Sequence, residues 1–194
     1  MGTKKILVLL GHPNNSSLCA ALASAYVEGA TAAGAEVRVH KIGDMNFDPS
    51  LHLGYGAKQA LEPDLERFQT DLKWSEHVVM VFPLWWGTMP GAMKGLIDRT
   101  FLPGVTFKYK EGSPFQDKLL AGRTGRVVMT MDSPNFWYKL VLGRPLTKAI
   151  KRQILGFCGI KPLKFTYFGN VRGSKPEGRS AWIEQMRSLG KAGA

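Results

Sequence analysis

The sequence predicts an α/β fold: a doubly wound sheet of five parallel strands with helices on both faces. Three observations lead there. Five short runs, 5–10, 36–42, 77–84, 125–131 and 163–168, are either continuously apolar or alternating, as strands are. Helical stretches separate them, and loops rich in Gly, Pro, Asn and Ser join the two kinds of element. Strand and helix in alternation require crossover connections, and crossovers make neighbouring strands parallel.

KILVLL (5–10) has no polar alternation, the pattern of a strand covered on both faces. GHPNNSS is a turn-forming loop, and the Ala-rich LCAALASAYVEGATAA after it is a helix ending near Gly34. EVRVHKI (36–42) alternates as a second strand, 43–60 is loop, and EPDLERFQTDLKWS (62–75) is a helix. HVVMVFPL (77–84) is a third, buried strand. PGAMKGLIDRTF (90–101) is a helix opened by Pro90, whose fixed φ suits a first turn. GRVVMTM (125–131) and LKFTYF (163–168) complete the sheet, with helices at about 143–157 and 180–190.

At 194 residues the chain suits one domain, 1–194, large enough to bury a full core. ILVLLG is too short for a membrane span or a signal peptide's apolar region, and Ile6 breaks the myristoylation pattern. Cys19 and Cys158 give neither a disulfide framework nor metal spacing. A cytoplasmic protein is expected. The formal charge of +11 is dispersed, densest near Lys148, Lys151 and Arg152 and from Lys161 to Lys175. No basic block interleaves with stacking aromatics, and no helix-turn-helix or zinc-finger spacing occurs, so nucleic acid is not an expected partner. Phosphorylated small molecules suit the charge better.

Open α/β sheets bind ligands in the loops beyond the carboxyl ends of their strands. That rule selects 11–17, 83–89 and 131–138. In the first, a helix start offers free N–H groups to a phosphate, Ser16 and Ser17 add hydroxyls, and His12 adds an imidazole able to donate or carry charge. Equally, Ser17 caps the helix and His12 is an ordinary loop histidine. The loop matches neither G-x-G-x-x-G nor G-x-x-x-x-G-K-[ST]. In the second, Trp85 and Trp86 can wall a flat ligand while the N–H groups of 84–87 face its polar edge. The competing role is packing against a partner subunit, where aromatics are enriched. The third brings Thr130, Asp132, Trp137 and Tyr138 to the same sheet edge. Three polar-aromatic loops at one edge point to a planar, phosphorylated ligand. Asp98 and Arg99 are expected as a surface pair, and His40, His52 and His77 as surface or loop residues.

Nearly the whole chain resembles the flavodoxin-like NAD(P)H:quinone oxidoreductases, the DT-diaphorase family with its shorter bacterial relatives. GHPNNSSLCAAL, MNFDP, GSPFQDKLLAGRTGRVVMTM and ILGFCGI carry the resemblance, and FPLWWGTMPGAMKGLIDRTF (82–101) is its most specific stretch. The resemblance implies a flavodoxin-like fold, FMN or FAD, and a homodimer with flavin sites at the subunit interface. It sets His12, Ser17, Leu18 and Cys19 along the flavin's phosphate and ribityl end. Pro83, Leu84, Trp85, Trp86 and Gly87 flank the isoalloxazine, and Thr130 lies at the third loop. The long enzymes carry a Gly-Gly turn where this chain has Met131, Asp132 and Ser133. Counted without gaps, Tyr138 falls on their proton-relay Tyr and is the catalytic candidate, whereas Arg144 replaces the relay His. The absence of their C-terminal extension favours FMN over FAD.

The implied chemistry is two-electron hydride transfer from NADH or NADPH through the flavin to a quinone-like acceptor, the two substrates alternating on one exposed face. Tyr138 would hydrogen-bond the acceptor oxygen, and Cys19 would pack beside the flavin. Two other roles are weighed beside it. A single-electron carrier relies on an acidic face, which the charge of +11 opposes. Some short relatives are ancillary subunits of potassium-efflux systems, and a basic surface suits peripheral contact with an anionic membrane or a transporter. Nitro or azo reduction uses the same flavin chemistry.

Overall fold

The computed structural model describes residues 2–193. Five strands, β1 (Lys5–Leu10), β2 (Glu36–Lys41), β3 (His77–Pro83), β6 (Thr124–Thr130) and β7 (Leu163–Phe168), form one parallel sheet in the order β2-β1-β3-β6-β7. Counting only these five, the order is 2-1-3-4-5, the flavodoxin-like arrangement, with its switch point between β1 and β3.

Side chains alternate between two cores, as the pleat demands. Leu7 and Leu9 of β1, Val78, Met80 and Phe82 of β3, and Val127 and Met129 of β6 face one core. That core is closed by α2 (Pro63–Trp74), through Leu65, Phe68 and Leu72, and by α3 (Gly91–Thr100), through Met93, Leu96 and Ile97. Ile6, Val8, Leu10, Val79, Val81 and Val128 face the other, under α1 (Leu18–Ala32) and α6 (Pro176–Lys191). The continuous apolar runs of β1 and β3 follow from covering both faces. Each fully buried aliphatic side chain contributes roughly 1.5–3 kcal/mol.

Glycine lets α1 and α6 meet backbone to backbone. A Cβ on Gly29 would lie 2.0 Å from the Arg187 carbonyl oxygen, and one on Gly190 would lie 2.1 Å from that of Tyr26. Gly29→Ala is therefore expected to destabilise the fold by about 1–3 kcal/mol, the usual cost of overpacking, read from the urea midpoint. An unchanged midpoint would show that the helix pair can slide apart freely.

The structure overturns or refines the sequence expectations at four places in the fold. Residues 107–118 form a hairpin, β4 (Phe107–Tyr109) with β5 (Gln116–Lys118), that was not expected. The helical stretch expected at about 143–157 runs unbroken from 145 to 158, with a π-helical turn (Ile150–Ile154) between α4 (Pro145–Ala149) and α5 (Leu155–Cys158). Arg144 precedes them in the left-handed region at φ 57°. Helix α6 starts at Pro176, where proline suits the first turn. Finally, Arg99 is not a surface partner of Asp98. Asp98 pairs with Lys94 at 2.6 Å, while Arg99 is buried and bonded to Glu62.

Two of the histidines expected at the surface or in loops are instead buried on strands. His40 meets Asp71 at 2.7 Å. His77 opens β3 with Nδ1 2.6 Å from the Thr124 hydroxyl and its buried Nε2 unpartnered. Burial, and then the charges of Lys4, Arg126 and Lys164, push the His77 pKa down from 6.5 to about 4. Below about 6.5 the unfolded chain takes up this proton and the folded chain does not, so stability is lost as pH falls toward 4. The loss is on the order of 3 kcal/mol across that window. Urea midpoints of the wild type and His77→Gln at pH 7 and 4.5 should diverge, the variant keeping more of its stability. Parallel losses would contradict the assignment.

Candidate functional site

Four connections meet at the carboxyl ends of β1, β3, β6 and β7 around one cleft of about 250 Å³. The first supplies His12, Ser17, Leu18 and Cys19, the second Pro83, Leu84 and Trp85, the third Thr130, Met131 and Asp132, and the fourth Val171.

The first loop is held by its own side chains. The Asn14 N–H donates to Nδ1 of His12 at 2.9 Å, and the Ser16 N–H to Oδ1 of Asn14 at 2.8 Å. With Nδ1 accepting, the neutral imidazole carries its proton on Nε2. Burial lowers the His12 pKa, although the Asn14 bond opposes the shift. His12 is therefore a neutral donor rather than a charge. Ser17 does cap α1, its hydroxyl accepting the Ala20 N–H at 3.2 Å. The cap leaves the N–H groups of Leu18 and Cys19 in the first turn without a backbone partner, and such groups attract an anion. Ser16 turns away and lines a neighbouring hollow beside Lys41.

The second loop is a tight turn. Trp85 and Thr88 exchange both backbone hydrogen bonds at 2.9 Å, with Trp86 and Gly87 between them at φ 50° and 77°. Two residues at positive φ make the turn type I′. Glycine is suited to that conformation, whereas Trp86 in it costs about 1 kcal/mol. Trp85 lines the cleft and meets the His12 ring edge-on, with centroids 5.4 Å apart. Trp86 is wholly exposed and, like Gly87, lies outside the cleft lining. Of the four N–H groups expected to face a ligand, Leu84's goes to the Thr130 carbonyl and Trp85's to Thr88. Those of Trp86 and Gly87 remain open.

Thr130 ties the third loop to the first, its hydroxyl 3.2 Å from Sγ of Cys19. Burial pushes that thiol up to about 11 despite the Thr130 bond, so Cys19 is a neutral packing group rather than a nucleophile. Asp132 accepts the Arg172 N–H at 3.0 Å. Asp132 lies in the third loop that the strand-end rule selected, whereas Val171 was not among the predicted site residues. The same carboxyl-end rule, extended from the three central strands to the edge strand β7, would have found the 169–175 loop.

Tyr138 is not brought into the cleft. It is 1 % exposed, and its hydroxyl is engaged by the Thr147 hydroxyl at 3.1 Å and the Thr147 N–H at 3.2 Å. Thr147 continues to the Tyr167 hydroxyl at 3.0 Å. Tyr138 anchors the third connection to α4 and β7.

A parallel 2-1-3-4-5 sheet with a donor-lined cleft at its switch point defines an α/β ligand-binding protein of the doubly wound class. The chain belongs to the family described as having a flavodoxin-like fold, whose model matches residues 4–189. It is 25% identical over 183 residues to an uncharacterized NAD(P)H oxidoreductase of Haemophilus influenzae, covering 92% of this chain and 90% of that one. It is 32% identical over 117 residues to the FMN-dependent NADH:quinone oxidoreductase of Aeromonas salmonicida, covering 60% of this chain and 56% of that one. Among solved structures, Smu.1420 of Streptococcus mutans UA159 superposes with a TM-score of 0.82 at 24% identity, covering 96% and 98% of the two chains.

Proposed function

We propose that the cleft holds FMN and that the chain is a flavin-dependent NAD(P)H oxidoreductase reducing quinone-like acceptors. The observation that carries this is the convergence of open backbone donors and an aromatic wall on one cleft. The first-turn N–H groups of Leu18 and Cys19 suit a phosphate, and Trp85 offers a flat surface to a ring. At about 250 Å³ the cleft is smaller than the roughly 300–1,000 Å³ of sites that enclose their ligand. A cleft of that size would leave part of the cofactor outside it. Relatives named as NAD(P)H oxidoreductase and FMN-dependent NADH:quinone oxidoreductase support the same chemistry.

The bound flavin supplies hydride exchange between donor and acceptor. The protein's part is positional and electrostatic. The N–H groups of Leu18 and Cys19 would hold the phosphate, and Nε2–H of His12, beside Trp85, would be a further donor. The N–H groups of Trp86 and Gly87, open at the rim of the cleft, would favour negative charge on a ring edge that reached them. The thiol of Cys19, kept neutral by burial, adds no charge of its own. Trp86, exposed on its strained turn, is the side chain a second copy covers in the homodimer. Steady-state rates with NADH or NADPH at several fixed quinone concentrations should give parallel double-reciprocal lines, because both substrates use one face. Intersecting lines would contradict a shared face.

A further inference from the structure

Between Asp132 and Glu177 the chain has nine Lys and Arg residues and not one Asp or Glu. That segment accounts for most of the formal charge of +11, and the cleft uses none of it. Five of the nine, Lys139, Arg144, Lys148, Lys151 and Arg152, surround a hollow of about 460 Å³ floored by Phe165 and Tyr167. The two floor rings stack with centroids 6.4 Å apart. None of the five cations has a salt bridge among the described residues.

Beside this basic face stands an unusual apolar one. Phe136, Trp137, Leu140, Val141 and Leu142 are all exposed, Leu140 to 80 % and Phe136 to 61 %. They sit on and beside a π-helical turn (Trp137–Val141) closed by the Leu142 N–H to the Trp137 carbonyl at 3.0 Å. The turn is fixed from inside by Tyr138, whose hydroxyl is bonded to Thr147 and whose carbonyl accepts the Arg144 N–H at 3.0 Å. Clustered apolar side chains of this extent mark an interaction surface.

Charge decides between occupants. A dissolved anion would engage the cations and leave the apolar side chains in water. A second copy packed about a two-fold axis through this patch would set the basic segment against itself. An anionic bilayer surface satisfies both features, drawing in the cations while the apolar side chains enter the interface. We infer that the Phe136–Leu142 turn and the Lys139–Arg152 cations form a peripheral docking surface for anionic phospholipid membranes. The surface starts four residues after Asp132, so one connection carries both the docking turn and part of the cleft. The inference does not depend on the flavin, because binding is read without turnover.

The test is co-sedimentation of the full chain with vesicles of phosphatidylcholine alone and with phosphatidylglycerol added, at low and high salt. Binding is expected to the anionic vesicles only and to weaken with salt. Replacing Lys148, Lys151 and Arg152 together by alanine should weaken it about a hundredfold, and Leu140→Asp at least about tenfold. All four positions are exposed, so both variants should keep the wild-type circular dichroism and quinone turnover in solution. Three results would overturn the inference: equal or no binding to the two vesicle types, binding unchanged in both variants, or a dimer in sedimentation velocity that Leu140→Asp dissociates. The last would give the surface to a second copy.

Discussion

Arg99→Ala should cost about 2–4 kcal/mol of folding stability, from carbonyls that lose their donor and the space left by a buried side chain. The guanidinium is 1 % exposed at the end of α3. It donates to the carbonyls of Asp48 and Ala60, each at 2.6 Å, and to Oε2 of Glu62 at 2.9 Å. One side chain thus pins both ends of the long 44–61 connection against α3. A Cβ on Gly95, one turn earlier, would lie 2.5 Å from the Pro49 carbonyl oxygen, so the same connection is seated on the helix backbone. Alanine takes this donor from the two carbonyls and leaves the Glu62 carboxylate with the Asp48 N–H, at 3.0 Å, and no counter-charge. Lysine should rescue little, because a point charge cannot span three acceptors arranged for a planar fork. Urea unfolding measures both variants, and a loss under about 1 kcal/mol in Arg99→Ala would place the anchor elsewhere.

Trp85→Ala should weaken FMN binding by about 10–100-fold while leaving the fold intact. Stacking of a planar heterocycle on an aromatic side chain is worth about 1–3 kcal/mol by alanine substitution. Trp85 is 43 % exposed and lines the cleft beside His12, so the substitution removes a wall of the site and little core. Its backbone bonds with Thr88 do not involve the side chain, and the turn should survive. Trp85→Phe should recover most of the affinity. Quenching of flavin fluorescence on titration gives the dissociation constants. Equal affinity in Trp85→Ala and the wild type would show that the ring rests on another surface.

The sheet was legible because burial on both faces imposes a local pattern. Ile6, Leu7, Val8 and Leu9 are wholly buried, and nothing but a central strand asks for such a run. The β4–β5 hairpin was not legible, since the three-residue strands FKY and QDK have one buried side chain between them and no periodicity to detect. The first two ligand loops were found by the strand-end rule. The part played by β7's loop left less trace, since GNVRGSK (169–175) holds no aromatic residue. Arg99 read as a surface residue because its partners, the carbonyls of residues 48 and 60, lie some forty to fifty positions away. Backbone acceptors leave no trace in side-chain pattern. Tyr138 was placed by gapless counting through a segment whose geometry changes at a π-helical turn and at left-handed Arg144. The count says nothing about which way the ring points.

The decisive measurement is the absorbance spectrum of the purified chain during titration with FMN. One FMN per chain, with flavin bands that remain after gel filtration, is the predicted result. A chain that takes up neither FMN nor FAD would contradict the flavin site and leave the Trp85–Trp86 turn as a protein interface.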